Sequence, residues 1–249
     1  MYIGENMVIK DVNINYVTYG NTKGKPIILL HGWGQNIEMM DPIGKALQKD
    51  YHIFILDLPG FGSSEEPKYG WTVYDYYEML KEFINKLKIK NPILVGHSFG
   101  GRISIIYAAK EKVDKLVLLS APFRKSVKKD TLKVKVLKTL KKVPLLKDLE
   151  DYMKTKIGST DYRSASPMMR KILVNTVNED LTDYLKQIDV PTILIWGDRD
   201  TAVPVEDARY AESIMKDAGL IVYEGCTHYA YLERLEQTIN VLKSFLGGK

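Results

Sequence analysis

The sequence predicts an α/β fold: a mostly parallel sheet with helices on both faces and one helical insertion. Three observations predict it. Short, β-branched apolar runs recur along the chain, helical periodicity fills the intervals between them, and one long interval breaks that rhythm. The 249 residues are 45% hydrophobic and 27% charged, the balance of a chain able to bury a substantial core.

Eight strands are expected. The first two, 7–12 and 15–19, alternate apolar and polar residues, as an antiparallel edge does. The other six are 26–30, 52–56, 92–95, 115–119, 192–196 and 220–223. They are continuous apolar runs, the pattern of strands covered on both faces. Helices are expected at 36–47, 73–87, 100–110, 205–218 and 232–245. The interval from Pro122 to Pro191 is polar and helical with no convincing strand. A loop that long without structure is uncommon in a compact domain. It is therefore read as a small cap inserted into a core of residues 1–121 and 192–249, with Pro144 and the stretch 158–167 separating its helices. Between Arg124 and Gln187 there are 16 Lys+Arg and 8 Asp+Glu, so the basic character of a chain of net charge +5 belongs to this insertion.

The stretch "ILVGHSFGGRISIIY" carries the first chemical signal. Its G-x-S-x-G arises by chance in roughly one chain of this length in ten, so context has to decide. An apolar strand leads in and an apolar helix follows, the setting in which a serine is lifted out of a sheet on a strained turn. Gly96 and Gly100 remove Cβ atoms that would collide there, and the Phe99 amide points toward any oxyanion that forms. A serine hydroxyl needs a base, and the base an orienting acid. In this type of site the chain order is Ser, then Asp or Glu, then His. Of His31, His52, His97 and His228, only His228 follows Ser98. The acid belongs at the end of the preceding strand, where "TILIWGDRD" offers both Asp198 and Asp200, and spacing alone does not separate them. The loop "LLHGWGQN" offers the Trp33 amide as second oxyanion donor, its glycines allowing close backbone approach. His31 and His97 are read as structural, and Asp57 as the holder of a turn.

These segments, "LLHGWG", "DLPGFGSSEEP", "GHSFGG", "LIWGDRDTAVP" and "GCTHYAYLE", resemble the α/β-hydrolase superfamily, specifically its capped single-domain serine hydrolases of carboxylesterase type. The resemblance covers nearly the whole chain outside the cap. It implies the eight-stranded α/β-hydrolase fold, selects Asp200 as the acid, and matches His228 as the base and the Trp33 and Phe99 amides as oxyanion donors. Cys226 and Thr227 stand where the family often has glycine or alanine before the histidine. Cys226 lies on the base's loop and not on an elbow, which argues against a thiol nucleophile.

The expected activity is hydrolysis of carboxylic esters with small to medium acyl chains through an acyl-enzyme, with no metal and no cofactor. The same triad also serves carbon–carbon bond hydrolases, aminopeptidases, synthases and slow-turnover receptors on this fold, and cap residues carry no motif that separates them. Phe123 and Met169 are the candidate substrate contacts. In the cap, Met153, Met168, Met169, Ile172, Leu173 and Val177 are spaced as one apolar helix side that packs the cap onto the core. The expected partner is a small-molecule acyl substrate. The stretch 123–147 is rich in lysine around apolar positions and reads as a solvated cap helix, with peripheral membrane contact the sharper alternative. No basic–aromatic interleaving points to nucleic acid. One cysteine, no leader-like N-terminus and no apolar run near the roughly 20 residues of a bilayer span lead to the expectation of a cytoplasmic protein.

Overall fold

A computed structural model describes residues 4–125 and 160–247. One eight-stranded sheet runs through it, comprising β1 (Glu5–Ile9), β2 (Val12–Gly20), β3 (Pro26–Leu30), β4 (His52–Leu56), β5 (Ile93–His97), β6 (Lys115–Leu119), β7 (Thr192–Gly197) and β8 (Ala218–Tyr223). The spatial order is β1-β2-β4-β3-β5-β6-β7-β8. The β1–β2 and β2–β4 pairs are antiparallel and all others parallel, as expected. The described helices are α1 (Ile37–Leu47), α2 (Val73–Lys86), α3 (Phe99–Lys110), α4 (Thr160–Ser164), α5 (Pro167–Val177), α6 (Thr182–Gln187), α7 (Val205–Ile214), α8 (Ala230–Glu233) and α9 (Leu235–Leu246).

The continuous apolar strands are explained by the two cores. Successive side chains of a strand point to opposite faces. Leu94, Ile28, Leu30, Leu116 and Leu118 thus enter the core under α2 and α3. Ile93, Val95, Ile27, Leu29 and Val117 enter the other, under α1 and α9. Burying each such side chain on folding is favourable by about 1.5–3 kcal/mol, so a polar residue at any of these positions is costly. β3 lies between β4 and β5, with Leu30 opposite both Leu56 and Gly96. That register sets the loop after β3 beside the turn after β5.

Several boundaries differ from the sequence reading. β1 ends at Ile9, because Lys10 (φ 49°) and Asp11 (φ 60°) make a tight hairpin turn without the usual Asn-Gly or Asp-Gly. β2 is not an edge: it is the second strand, and Ile14 through Val17 are all buried. β8 is the far edge and is mostly half-buried, whereas its apolar run suggested cover on both faces. α7 stops at Ile214, because the chain turns extended at Met215 to feed β8. The last helix is two, broken at Arg234 (φ −123°, ψ 48°).

The interval between β6 and β7 contains α4, α5 and α6 among the described residues; Pro144, Met153 and most of the basic stretch lie outside them. The stretch 158–167 is not only a separator, since α4 forms within it. α5 starts from Ser166, whose hydroxyl accepts the Met169 amide, with Pro167 at its first position. It buries Met169, Ile172, Leu173 and Thr176. Val177, expected on that side, is exposed, and Thr176 takes the inner position with its hydroxyl donating to the Leu173 carbonyl at 3.0 Å. Arg102 of α3 holds both feet of the interval. Its guanidinium donates to the Pro122 carbonyl at 3.0 Å and to the Glu179 carbonyl at 2.6 Å. Leu181 donates its amide to the Phe123 carbonyl at 2.7 Å.

Candidate active site

The site assembles where strands end. In open α/β sheets the carboxyl ends of the strands are where loops converge on ligands. Ser98 directly follows β5 in a left-handed conformation (φ 47°, ψ −110°), sparsely populated for any residue with a Cβ. The strain is held from both sides: the Ser98 amide donates to the Leu119 carbonyl at 2.9 Å, and its carbonyl accepts the Arg102 amide at 3.2 Å. The glycines around it are steric requirements. A Cβ on Gly100 would stand 2.3 Å from the Leu30 carbonyl oxygen, and one on Gly96 2.6 Å from the Gly100 carbonyl oxygen.

His228, on the loop after β8, reaches back so that its Nε2 lies 3.0 Å from Ser98 Oγ. Its Nδ1 lies 2.8 Å from Asp200 Oδ2. A carboxylate only accepts, so Nδ1 carries the proton and Nε2 accepts from the serine hydroxyl. Asp200 is buried at the end of β7, and its other oxygen takes the amides of Ala202 and Val203, both at 2.8 Å. Burial alone would raise its carboxyl, but the His228 bond and those two amides outweigh it and hold the group below its ordinary value. Asp198, the other choice, accepts the Gly225 amide at 2.7 Å and caps the turn.

The residue before His228 is clamped. Glu233 takes the Thr227 amide at 2.9 Å with one oxygen and the Thr227 hydroxyl with the other. Those bonds hold the Glu233 carboxyl below its ordinary value.

Trp33 lies in the loop after β3, and Phe99 opens α3. Neither backbone amide has an acceptor among the described residues. Their side chains brace each other, with ring centroids 5.4 Å apart edge to face, and Phe61 packs on both at 4.8 and 6.4 Å. His31 is fully buried, with Nδ1 donating to the Gly32 carbonyl at 2.7 Å and Nε2 accepting the Leu58 amide at 2.9 Å. Burial pushes it down to about 4, so it is neutral and occupied on both sides. His97 turns away from Ser98 toward Gln35 and the backbone of His228. Asp57 receives the Ile37 and Ser63 amides and the Asn15 side chain, so it holds a turn.

The two candidate substrate contacts are packed side chains. Phe123 is 2% exposed and stacks on Tyr210, while Met169 is 4% exposed and lies over Gly60, where a Cβ would come within 2.4 Å of its sulfur. Cys226 is buried with its thiol 3.6 Å from the Glu224 carbonyl. Among the described residues no His, Cys, Asp or Glu cluster is placed to hold a metal ion. No described helix is long and apolar enough to cross a membrane. Sequence reasoning missed Gln35 and Arg102. The signal for Arg102 was a lone charge inside "GGRISIIYAA"; Gln35 carried none beyond its place after two loop glycines.

Comparison with known proteins agrees with this architecture. A family model described as alpha/beta hydrolase fold matches residues 25–144. The AB hydrolase superfamily protein YisY of Bacillus subtilis is 31% identical, over 89% of this chain and 91% of that protein. The chain belongs to the α/β-hydrolase superfamily. Other relatives within it include Lipase 1 of Psychrobacter immobilis, 28% identical over 92% of this chain and 79% of that protein. Among solved structures, the esterase EaEST from Exiguobacterium antarcticum superposes with a TM-score of 0.77 at 25% identity, covering 99% of this chain and 100% of that one. With lipases and an esterase among its relatives, this α/β-hydrolase is supported as a hydrolase.

Proposed function

We propose that the protein is a serine hydrolase of carboxylic esters with small to medium acyl chains, acting through Ser98, His228 and Asp200. Ser98 Oγ attacks the acyl carbonyl while His228 Nε2 takes its proton. Asp200 fixes the imidazole and stabilises the imidazolium, and the Trp33 and Phe99 amides bind the oxyanion. His228 then protonates the leaving alcohol and activates the water that hydrolyses the acyl-enzyme. Each step uses side chains and amides of this chain, and none calls for a metal or cofactor.

The observation that carries this reading is the unbroken hydrogen-bonded line from Ser98 Oγ through both ring nitrogens of His228 to Asp200. The strained serine backbone and two unengaged amides support it. The esterase and lipase names among the relatives favour an ester over the other bonds this triad cleaves. In this reading residues 122–191 are the cap over a core of 1–121 and 192–249, and Met169 and Phe123, both buried, would meet substrate only if their packing opened. The substrate would be met in the cytoplasm.

Turnover of p-nitrophenyl esters from acetate to dodecanoate, by the wild type and Ser98→Ala, tests the proposal. It expects multiple turnover highest on acetate through butyrate, and a loss of orders of magnitude in the variant. A near-normal rate for Ser98→Ala, or no turnover on any ester, contradicts it.

A further inference from the structure

His97 precedes the proposed nucleophile but does not face it. Its ring is fully buried between two loops that approach from different parts of the chain. On one side Nε2 lies 3.1 Å from the backbone carbonyl of His228. On the other Nδ1 lies 3.2 Å from Gln35 Oε1, which also accepts the Gly32 amide at 3.0 Å. The rings of His228 and Tyr231 lie 5.0 and 4.8 Å away and confine it further. The fit is close on the Gly32 side, where a Cβ would stand 2.8 Å from His97 Nδ1.

Both neighbours of the ring are acceptors. The Gly32 amide fixes Gln35 with its oxygen inward, and a backbone carbonyl is never a donor. Two donated bonds would require imidazolium, yet burial, with His228 close by, pushes His97 down to about 3. A neutral imidazole has one proton, so at any moment it donates a hydrogen bond to one loop and only packs against the other. The loop on one side carries His228, and the loop on the other carries Trp33.

We propose that His97 is a positioning residue that ties the His228 loop to the Gly32–Gln35 loop, so that the base and the Trp33 amide are held in mutual register. This rests on the reading of Ser98, His228 and Trp33 given above. His97 touches no reacting atom; it acts through the carbonyl of His228 and through Gln35. A displacement near 1 Å in such a pair costs on the order of 100-fold in rate. The single proton leaves the tie adjustable: a shift of tautomer moves the one hydrogen bond from one loop to the other without moving the ring, which stays wedged between both.

The test compares wild type with H97F, H97N, Q35M and the double variant Q35M/H97F. The readouts are thermal unfolding, kcat and KM on p-nitrophenyl butyrate, and the rate of Ser98 labelling by a fluorophosphonate. H97F and Q35M are each expected to lower kcat by about 10- to 100-fold with KM changed by less than about threefold. H97N, whose amide still reaches one loop, is expected to fall between H97F and wild type. The double variant is expected to be within about threefold of the slower single one, because both break the same tie. If H97F fails to fold, Q35M and H97N carry the same comparison. Variants that melt earlier but keep kcat and labelling rate overturn the proposal, as does a double variant equal to the product of the two losses. An unlabelled wild type overturns the reading of Ser98 itself and the proposal with it; a labelled wild type with normal variants overturns the proposal alone.

Discussion

Asp200 Oδ2 stands 2.8 Å from His228 Nδ1 while Asp200 Oδ1 is held by the amides of Ala202 and Val203. The two oxygens are therefore not interchangeable. In Asp200→Asn the two amides keep the carboxamide oxygen in the Oδ1 place, and the NH2 group faces His228. Nδ1 then becomes an acceptor, the proton moves to Nε2, and the ring no longer accepts from Ser98. The variant is expected to fold normally and to lose about 10³- to 10⁴-fold in kcat, measured on p-nitrophenyl butyrate. A loss under tenfold would show that the tautomer does not matter.

The turn at Ser98 depends on backbone approaching backbone. Gly100→Ala sets a methyl 2.3 Å from the Leu30 carbonyl oxygen and 2.7 Å from that of His31, neither of which can yield cheaply. The variant is expected to lose about 1–3 kcal/mol or more of stability in denaturant titration. Gly219→Ala, whose Cβ meets nothing within 4 Å, is the matched control and is expected to stay near wild type.

Arg102 is a buried cation bonded to main-chain carbonyls at both feet of the β6–β7 interval, and its Nε has no partner among the described residues. Burial pushes the guanidinium down to about 10, which still leaves it charged at neutral pH. Arg102→Leu leaves the Pro122 and Glu179 carbonyls without these donors. A destabilisation of about 2–4 kcal/mol is expected by denaturant titration. Limited proteolysis is expected to cut first between residues 122 and 191.

Two buried histidines make stability depend on pH. His31 and His97 fall from an ordinary 6.5 to about 4 and about 3 in the folded state, in both cases chiefly through burial. Between those values and 6.5 the unfolded chain binds protons that the folded chain does not, so stability falls as pH falls. The slope approaches about 1.4 kcal/mol per pH unit for each histidine. Asp200, also lowered on folding, adds loss in the same direction only below about 3.8. Denaturant midpoints measured from pH 7.5 to 5 are expected to drop steadily below pH 6.5. His52, also lowered by burial, adds to the same loss; His97→Asn is expected to make that slope shallower, and a flat profile in the wild type would contradict the assignment.

Much of this was legible in the sequence because the signals were local. The bounds of β3, β4 and β6 follow directly from apolar runs flanked by polar residues, since both faces of those strands are covered. β1 was misjudged because Lys10-Asp11 turns the chain while the apolar alternation continues through Val12. The break at Arg234 was hidden because no Gly or Pro marks it and the apolar positions continue across it. Ser98 and His228 were readable as candidates from residue type and chain order, whereas the choice of Asp200 over Asp198 came only from the family resemblance. Gln35 and Arg102 were not, since their partners lie 62 and 77 residues away and no spacing announces them.

Reaction of the intact protein with a fluorophosphonate, followed by peptide mass mapping, tests the central claim most directly. Stoichiometric phosphonylation of Ser98, abolished in Ser98→Ala and slowed by orders of magnitude in His228→Ala, is the result expected. Ser98 left unmodified, or modified equally fast without His228, would contradict it.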